Sequence, residues 1–210
     1  MKVAFLIPST TNKRDNWLTA EDTYLWQILC QTLELHCPDH DIKLFIGYDA
    51  DDRIYSDPEE RLKFSAVFTK FELEWFPQGK EMKGKVTSIW NNLGKEALLQ
   101  GYNYFKLLGD DIKMPSDTGW LGCFINKLKK NNNIGFSAGY SNNDNIPTQF
   151  LVHKIYPEKY RTWLKSYKLY NMGGEPRYEI QFNPKFVEAI VKRYKPLFRS
   201  RSLWIYGSNG

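Results

Sequence analysis

The run Val3-Ala-Phe-Leu-Ile7 contains no polar residue and is closed by Pro8. A strand with one face in water alternates apolar with polar, so an unbroken apolar run reads as a strand buried on both faces. That is the state of a central strand in a parallel sheet covered by helices. Ile42-Lys-Leu-Phe-Ile46 and Tyr104-Phe-Lys-Leu-Leu108, each apolar but for one Lys, read as two further strands, whereas Phe71-Glu-Leu-Glu-Trp-Phe76 alternates and reads as a strand nearer an edge. Between them, residues 21–36 place Tyr24, Leu25, Ile28, Leu29, Leu33 and Leu35 near helical spacing. In residues 84–100, Val86, Ile89, Trp90, Leu93 and Ala97 form one stripe opposite Lys85, Ser88, Asn92 and Lys95, with Gly101 as a stop. A helix over 119–130 and strands over Ile134–Ala138 and Gln149–His153 complete an α/β, Rossmann-like sandwich with mainly parallel strands flanked by helices.

Beyond Pro157 the texture changes. Pro157–Tyr167 reads as a helix, Asn171-Met-Gly-Gly-Glu-Pro176 as a loop, and Asn183-Pro184 as the start of a helix over Lys185–Tyr194. The length of 210 residues suits a single domain, with residues 1–115 as one half and 116–210 as the other. The 33 aromatic residues (7 Trp, 13 Tyr, 13 Phe) are read first as core. No apolar run spans a bilayer, and five apolar residues before Pro8 are too few for a signal peptide. Cys30, Cys37 and Cys123 lack metal-ligand spacing, so they are expected as reduced, buried thiols in a cytoplasmic protein. The net charge of +5 is scattered, its densest groups being Lys127/Lys129/Lys130 and Arg193/Lys195/Arg199/Arg201, which fits phosphate-bearing ligands better than nucleic acid.

Ligands of open α/β sheets bind outside the carboxyl ends of the strands. Three such ends carry distinctive residues here: Pro8-Ser9-Thr10, Asp49/Asp51/Asp52 and Gly109-Asp110-Asp111. Adjacent carboxylates repel one another, and a cation between them and a diphosphate removes the repulsion. Mn²⁺ or Mg²⁺ held by one or two carboxylates plus substrate phosphates is the usual arrangement. Gly-Asp-Asp also suits a plain turn, and a solvated acidic loop explains Asp49, Asp51 and Asp52 about as well.

The motifs occur in an order that resembles GT-A glycosyltransferases: Val3–Thr10, then Asp22-Thr-Tyr-Leu25, then Phe45-Ile-Gly-Tyr-Asp-Ala-Asp-Asp52. Trp90-Asn91-x-Leu93-x-x-x-Ala97-x-x-x-Gly101-Tyr-x-Tyr104-Phe-x-x-x-Gly109-Asp-Asp-Ile112 follows, and later Phe150-Leu-Val-His153 with Tyr156-Pro157; the likeness covers about residues 3–163. It implies a metal-dependent transfer of sugar from a nucleotide-diphosphate sugar, a UDP-sugar in the first instance, to an acceptor hydroxyl. It puts Gly-Asp-Asp at the DxD position, with Asp111 as main metal ligand, Asp110 as second acidic contact and His153 as completing the shell. Gly109 leaves out the ribose contact that a strict DxD supplies. Pro8, Ser9 and Thr10 would line the nucleotide, Asp49 would face base or ribose, and Lys85 would sit near the diphosphate. The resemblance favours Asn91 as the donor contact from the helix, while periodicity puts Asn92 on the face of Lys85, and both are carried.

One departure bears on catalysis. Where similar proteins carry an acidic pair, this chain reads Trp163-Leu-Lys-Ser-Tyr167 without a carboxylate. An inverting transfer needs a carboxylate to take the acceptor's proton. Glu175, Glu179, Glu158 and Asp144 remain, with Glu175 in the Gly-Gly-Glu-Pro loop expected first and Glu179 second; inversion and retention both stay open. Two rival readings stand beside this one. A sugar nucleotidyltransferase would have a glycine-rich loop after the first strand, and Pro8-Ser-Thr-Thr-Asn-Lys-Arg14 has no Gly. A non-catalytic nucleotide-sugar-binding protein would suit the missing acidic pair but not the retained Gly-Asp-Asp.

Overall fold

The structure, a computed structural model, describes residues 1–36, 40–130, 132–133, 136–138 and 150–155, and the strands 165–170 and 176–181. Strands β1 (Lys2–Ser9), β2 (Asp41–Asp49), β3 (Glu72–Gln78), β4 (Tyr104–Leu107), β5 (Phe136–Ala138) and β6 (Phe150–His153) form one sheet in the order β3-β2-β1-β4-β6-β5. β3, β2, β1 and β4 are mutually parallel, while β6 runs antiparallel to both β4 and β5. The alternating Phe71–Phe76 run becomes edge strand β3, as its pattern predicts. β7 (Lys165–Tyr170) and β8 (Pro176–Gln181) make a separate antiparallel pair.

Helices cover both faces of β1, which is why its run has no polar residue. Val3, Phe5 and Ile7 join Leu25, Leu29 and Leu33, Phe64 of α2 (Pro58–Val67) and Trp120, Leu121 and Ile125 of α4 (Trp120–Lys130) in one core. Ala4 and Leu6 point the other way, into Ile89, Trp90, Leu93 and Ala97 of α3 (Val86–Leu99). The aromatic residues are largely packing, as in the cluster where Tyr55 meets Tyr48, Phe64 and Trp75 at centroid distances of 6.4, 6.0 and 5.6 Å.

The first helical stretch is a mixed one. A 3₁₀ turn at Ala20–Asp22 leads into a π-helical segment, Leu25–Cys30, and only then into α1 (Gln31–Leu35). Leu25, Leu29 and Leu33 are buried as expected, but Leu35 is 72% exposed. Val86 is likewise exposed in the first turn of α3, where Thr87 takes the buried place in the predicted stripe. α2 carries no apolar stripe, only Phe64 being buried, so periodicity gives no sign of it. Its start is nonetheless well marked, by Asp57 capping the Glu59 N–H with Pro58 in the first turn. Gly101 ends α3 at a φ of +83°, a conformation that favours glycine, while its N–H bonds to Leu98.

Some expectations are corrected. Lys165–Tyr167, the end of the expected helix over Pro157–Tyr167, is strand β7; the rest of that span and the helix over Lys185–Tyr194 lie outside the described residues. Cys30 is buried, and burial pushes its thiol well above the usual range, but Cys123 is exposed. Cys37 lies outside the described residues.

Gly47 of β2 faces α3 so closely that a Cβ there would lie 2.6 Å from Ile89 Cγ2 and 3.3 Å from Leu93 Cδ1. The Ile89 methyl sits on a β-branched carbon of a helix, where few rotamers are open to it. Gly47→Ala is therefore expected to cost about 1–3 kcal/mol of stability, read as a lower urea midpoint at unchanged slope. An unchanged midpoint would mean that α3 can move away from the sheet at no cost.

Candidate functional site

The winding of the sheet sets where a ligand can sit. From β1 the chain steps outward to β2 and β3, then crosses back to β4 on the other side of β1. The carboxyl ends of β1 and β4 therefore flank the point where the direction of winding reverses, which leaves a crevice in folds of this kind. Leu108 N–H still bonds to the Leu6 carbonyl at 3.0 Å, extending the pairing one residue beyond β4. The Trp90 indole N–H lies 3.0 Å from the Leu6 carbonyl and 3.3 Å from that of Leu108, so α3 is tied to both strands at the seam.

Two predicted residues meet there. The Ser9 hydroxyl, at the end of β1, lies 2.6 Å from Asp110 Oδ2 and 2.8 Å from the Tyr55 hydroxyl. Asp110 is half-buried and Asp111 exposed. Loss of hydration pushes the Asp110 carboxyl up to about 6 from its ordinary 3.8; the Ser9 bond and the charge of Arg14 oppose that rise and the charge of Asp111 adds to it.

The second acidic group has other work. Asp52 is fully buried and accepts from Thr11 N–H at 2.6 Å, Thr11 Oγ1 at 2.7 Å, Ile54 N–H at 3.1 Å and Tyr55 N–H at 3.0 Å. It thereby fastens the loop after β1 to the loop after β2. Asp49, also buried, accepts from Thr10 Oγ1 and Asn12 Nδ2, each at 2.8 Å. Asp51 is exposed and lies 3.4 Å from Lys83 Nζ, whose hydrogen bond holds its carboxyl below the usual range. Pro8, Ser9 and Thr10 thus share one end of the sheet with Asp49 and Asp110.

α3 starts from that same end, following the loop after β3. Lys85 is exposed at its N-cap position with no side-chain cap bond, and Asn91 and Asn92 are half-buried further along. Asn92 Nδ2 donates to Gln78 Oε1 at 3.1 Å.

His153 is not brought to the site. The antiparallel register sets it opposite Tyr104, at the start of β4, with ring centroids 4.7 Å apart. The four steps from Tyr104 to Leu108 alone put about 13 Å of extended chain between it and the end that carries Asp110 and Asp111. The expected metal-shell role of His153 is corrected accordingly: its Nδ1 accepts from Ile155 N–H at 3.3 Å. Glu175, Glu158 and Asp144 lie outside the described residues, and Glu179 falls on β8, its backbone opposite Tyr167. Among the described residues, no three His, Cys, Asp or Glu side chains form a metal-ligating group.

Two cations are marked by no pattern in the sequence. Lys106 is buried in the middle of β4, 5.7 Å from the Trp120 ring and 4.9 Å from that of Phe124, and burial lowers its ammonium to about 7. Arg14 lies in the loop after β1.

No protein-family model matches the sequence, and no curated protein matches it. Among solved structures the fold is similar to a mannosyltransferase of Pyrobaculum calidifontis in complex with GDP-Man and Mn²⁺, with a TM-score of 0.52 and 12% identity over 75% of this chain. The chain spans 46% of that protein's length. The likeness shows the fold: a Rossmann-like, mixed α/β sandwich with a mainly parallel sheet flanked by helices. Among the described residues no helix is long and apolar enough to cross a membrane.

The raised Asp110 carboxyl makes a prediction about pH. An acid whose folded-state value lies above its unfolded one contributes stability at low pH and loses it as pH rises. Without divalent metal, stability should fall as pH rises from about 4 through about 6. Asp110→Asn should remove that slope and raise stability at pH 7 by on the order of 1–2 kcal/mol, discounted for partial exposure. Equal pH profiles for the two proteins, followed by thermal melts in chelator, would show that Asp110 is fully hydrated.

Proposed function

We propose that this chain is a glycosyltransferase that takes a sugar from a nucleotide-diphosphate sugar and passes it to an acceptor hydroxyl. The observation that carries the reading is the Ser9–Asp110 bond at the reversal of strand order, which fixes one carboxylate of an adjacent pair at the crevice. A desolvated carboxylate beside an exposed one is an arrangement that a divalent cation would stabilise. The donor set is all oxygen, which suits Mn²⁺ or Mg²⁺. Asp111 would be the main ligand and Asp110 the second, with the remaining positions left to phosphates and water. When bound, the metal would neutralise charge on the departing nucleotide diphosphate.

The chain's own residues have distinct parts in this reading. Ser9 holds Asp110 in one orientation, and Pro8, Ser9, Thr10 and Asp49 line the place for the nucleoside. Lys85, at the start of α3, would meet the diphosphate, with Asn91 or Asn92 the contact from the helix. Glu175 would take the acceptor's proton, Glu179 being the next choice. The mannosyltransferase with the similar fold binds GDP-Man and Mn²⁺, which supports a nucleotide-sugar donor, and GDP belongs beside UDP in any screen.

Thermal melts with UDP and GDP are the direct test. Either nucleotide at 100 times its dissociation constant should stabilise the protein by about 2.7 kcal/mol with Mn²⁺, and far less with chelator. Asp111→Asn should abolish the metal-dependent part while the free protein melts within a degree or two of wild type. Equal stabilisation in chelator would exclude the metal bridge, and a mutant that unfolds would make Asp111 a turn residue.

The base is tested separately. Removal of a general base lowers rate by on the order of 10²–10⁴. Glu175→Gln should therefore lose transfer to acceptor while its affinity for nucleotide diphosphate is unchanged. Full transfer in both Glu175→Gln and Glu179→Gln would point to a retaining mechanism, or to Glu158 or Asp144.

A further inference from the structure

The loop after β1 is held more tightly than a surface turn needs. Thr11 and Thr10 are bonded to the carboxylates of Asp52 and Asp49, Arg14 N–H closes a turn onto the Thr11 carbonyl at 3.1 Å, and Trp17 N–H bonds to the Arg14 carbonyl at 2.9 Å. Lys13 takes a φ of +67° between the two ends of the first turn. Such a conformation is uncommon for a residue with a side chain.

The result is a fixed guanidinium. Arg14 Cζ lies 4.9 Å from the centroid of the Trp17 ring and 4.7 Å from that of Tyr24, two rings that meet edge to face at 4.8 Å. One Nη1 donates to the Tyr24 hydroxyl at 3.2 Å. Stacking on two rings with one hydrogen bond removes much of the rotamer freedom of a long side chain before any ligand arrives. Among the described residues no carboxylate lies within ion-pair distance of Arg14. An exposed cation fixed by aromatic rings, in the loop that leads off the carboxyl end of β1, has N–H donors left for an anion.

We infer that Arg14 is a specificity-determining residue that binds a phosphate of the nucleotide donor. The inference rests on the reading of this crevice as a nucleotide-diphosphate site. A planar guanidinium presents paired N–H donors to phosphate oxygens. It stands on the β1 side of the crevice, whereas Lys85 approaches from α3, so the phosphates would be met by cations from two elements. The loop after β1 carries no glycine that would let backbone N–H groups wrap a phosphate, and Arg14 supplies by side chain what a glycine-rich loop supplies by backbone.

The test compares nucleoside with nucleoside diphosphate. Dissociation constants of uridine, guanosine, UDP and GDP are measured with Mn²⁺ by calorimetry on wild type, Arg14→Gln, Arg14→Met and Arg14→Lys. Loss of a charge-assisted contact should weaken diphosphate binding by about ten- to hundredfold in the Gln and Met variants. Their affinity for the matching nucleoside should be unchanged, and the Lys variant should fall between. The Met variant keeps an apolar side chain on the rings, so similar losses in Met and Gln separate charge from packing, and melting temperatures of the free proteins check the loop. Wild-type affinity for the diphosphate in both neutral variants would overturn the inference and leave the nucleotide site standing. An equal loss of nucleoside and diphosphate affinity would make Arg14 a packing residue and overturn it too. Failure of wild type to bind either nucleotide would overturn both readings together.

Discussion

The pairing of β1 with β4 is the contact on which the rest depends. These strands are 101 residues apart where Ser9 meets Asp110, so their alignment is set by the whole intervening chain. The seam is closed by backbone bonds, by the Trp90 indole reaching the carbonyls of both strands, and by the Ser9–Asp110 bond at its open end. A buried indole N–H needs an acceptor. Here it finds two at the seam, so α3 is positioned by hydrogen bonding as well as by apolar contact. The loops after β1 and β2 are then fixed relative to this line by Asp52.

Much of the fold was legible because both-face burial leaves a plain mark. Val3–Ile7, Ile42–Ile46 and Tyr104–Leu108 all lie within or extend central strands, and the alternating Phe71–Phe76 run lies at the edge. α2 was not legible, since Phe64 is its one buried residue and its identity is written in its cap. β7 and β8 escaped for another reason: Lys165–Tyr170 and Pro176–Gln181 pair with each other in a separate sheet, and their sequences lack the apolar run that marked the central strands. Antiparallel pairing of β6 was equally hidden, because strand direction leaves no trace in local composition.

The site was legible in part. Gly109-Asp110-Asp111 and Ser9 could be placed at strand ends because the apolar runs stop there. The error over His153 comes from direction: at the end of a parallel strand it would have joined Asp111, but β6 runs the other way. Asp52 shows the opposite limit. Three acidic residues in one loop look alike in sequence, and only the structure separates Asp52, consumed by backbone and side-chain N–H and O–H donors, from exposed Asp51. Arg14 drew no notice because its partners, Trp17 and Tyr24, read as core aromatics.

The Ser9–Asp110 bond also acts as a check on register. Side chains alternate along a strand, so sliding β1 by one place against β4 would turn Val3, Phe5 and Ile7 toward the opposite face, and in one direction it would bring Pro8 to Asp110. Pro8 has no donor to offer, and Asp110 would then lack the serine hydroxyl that compensates its lost hydration. The carboxylate that a ligand would use thus rewards one alignment of the two strands before any ligand is present, and the fold and the site select the same register.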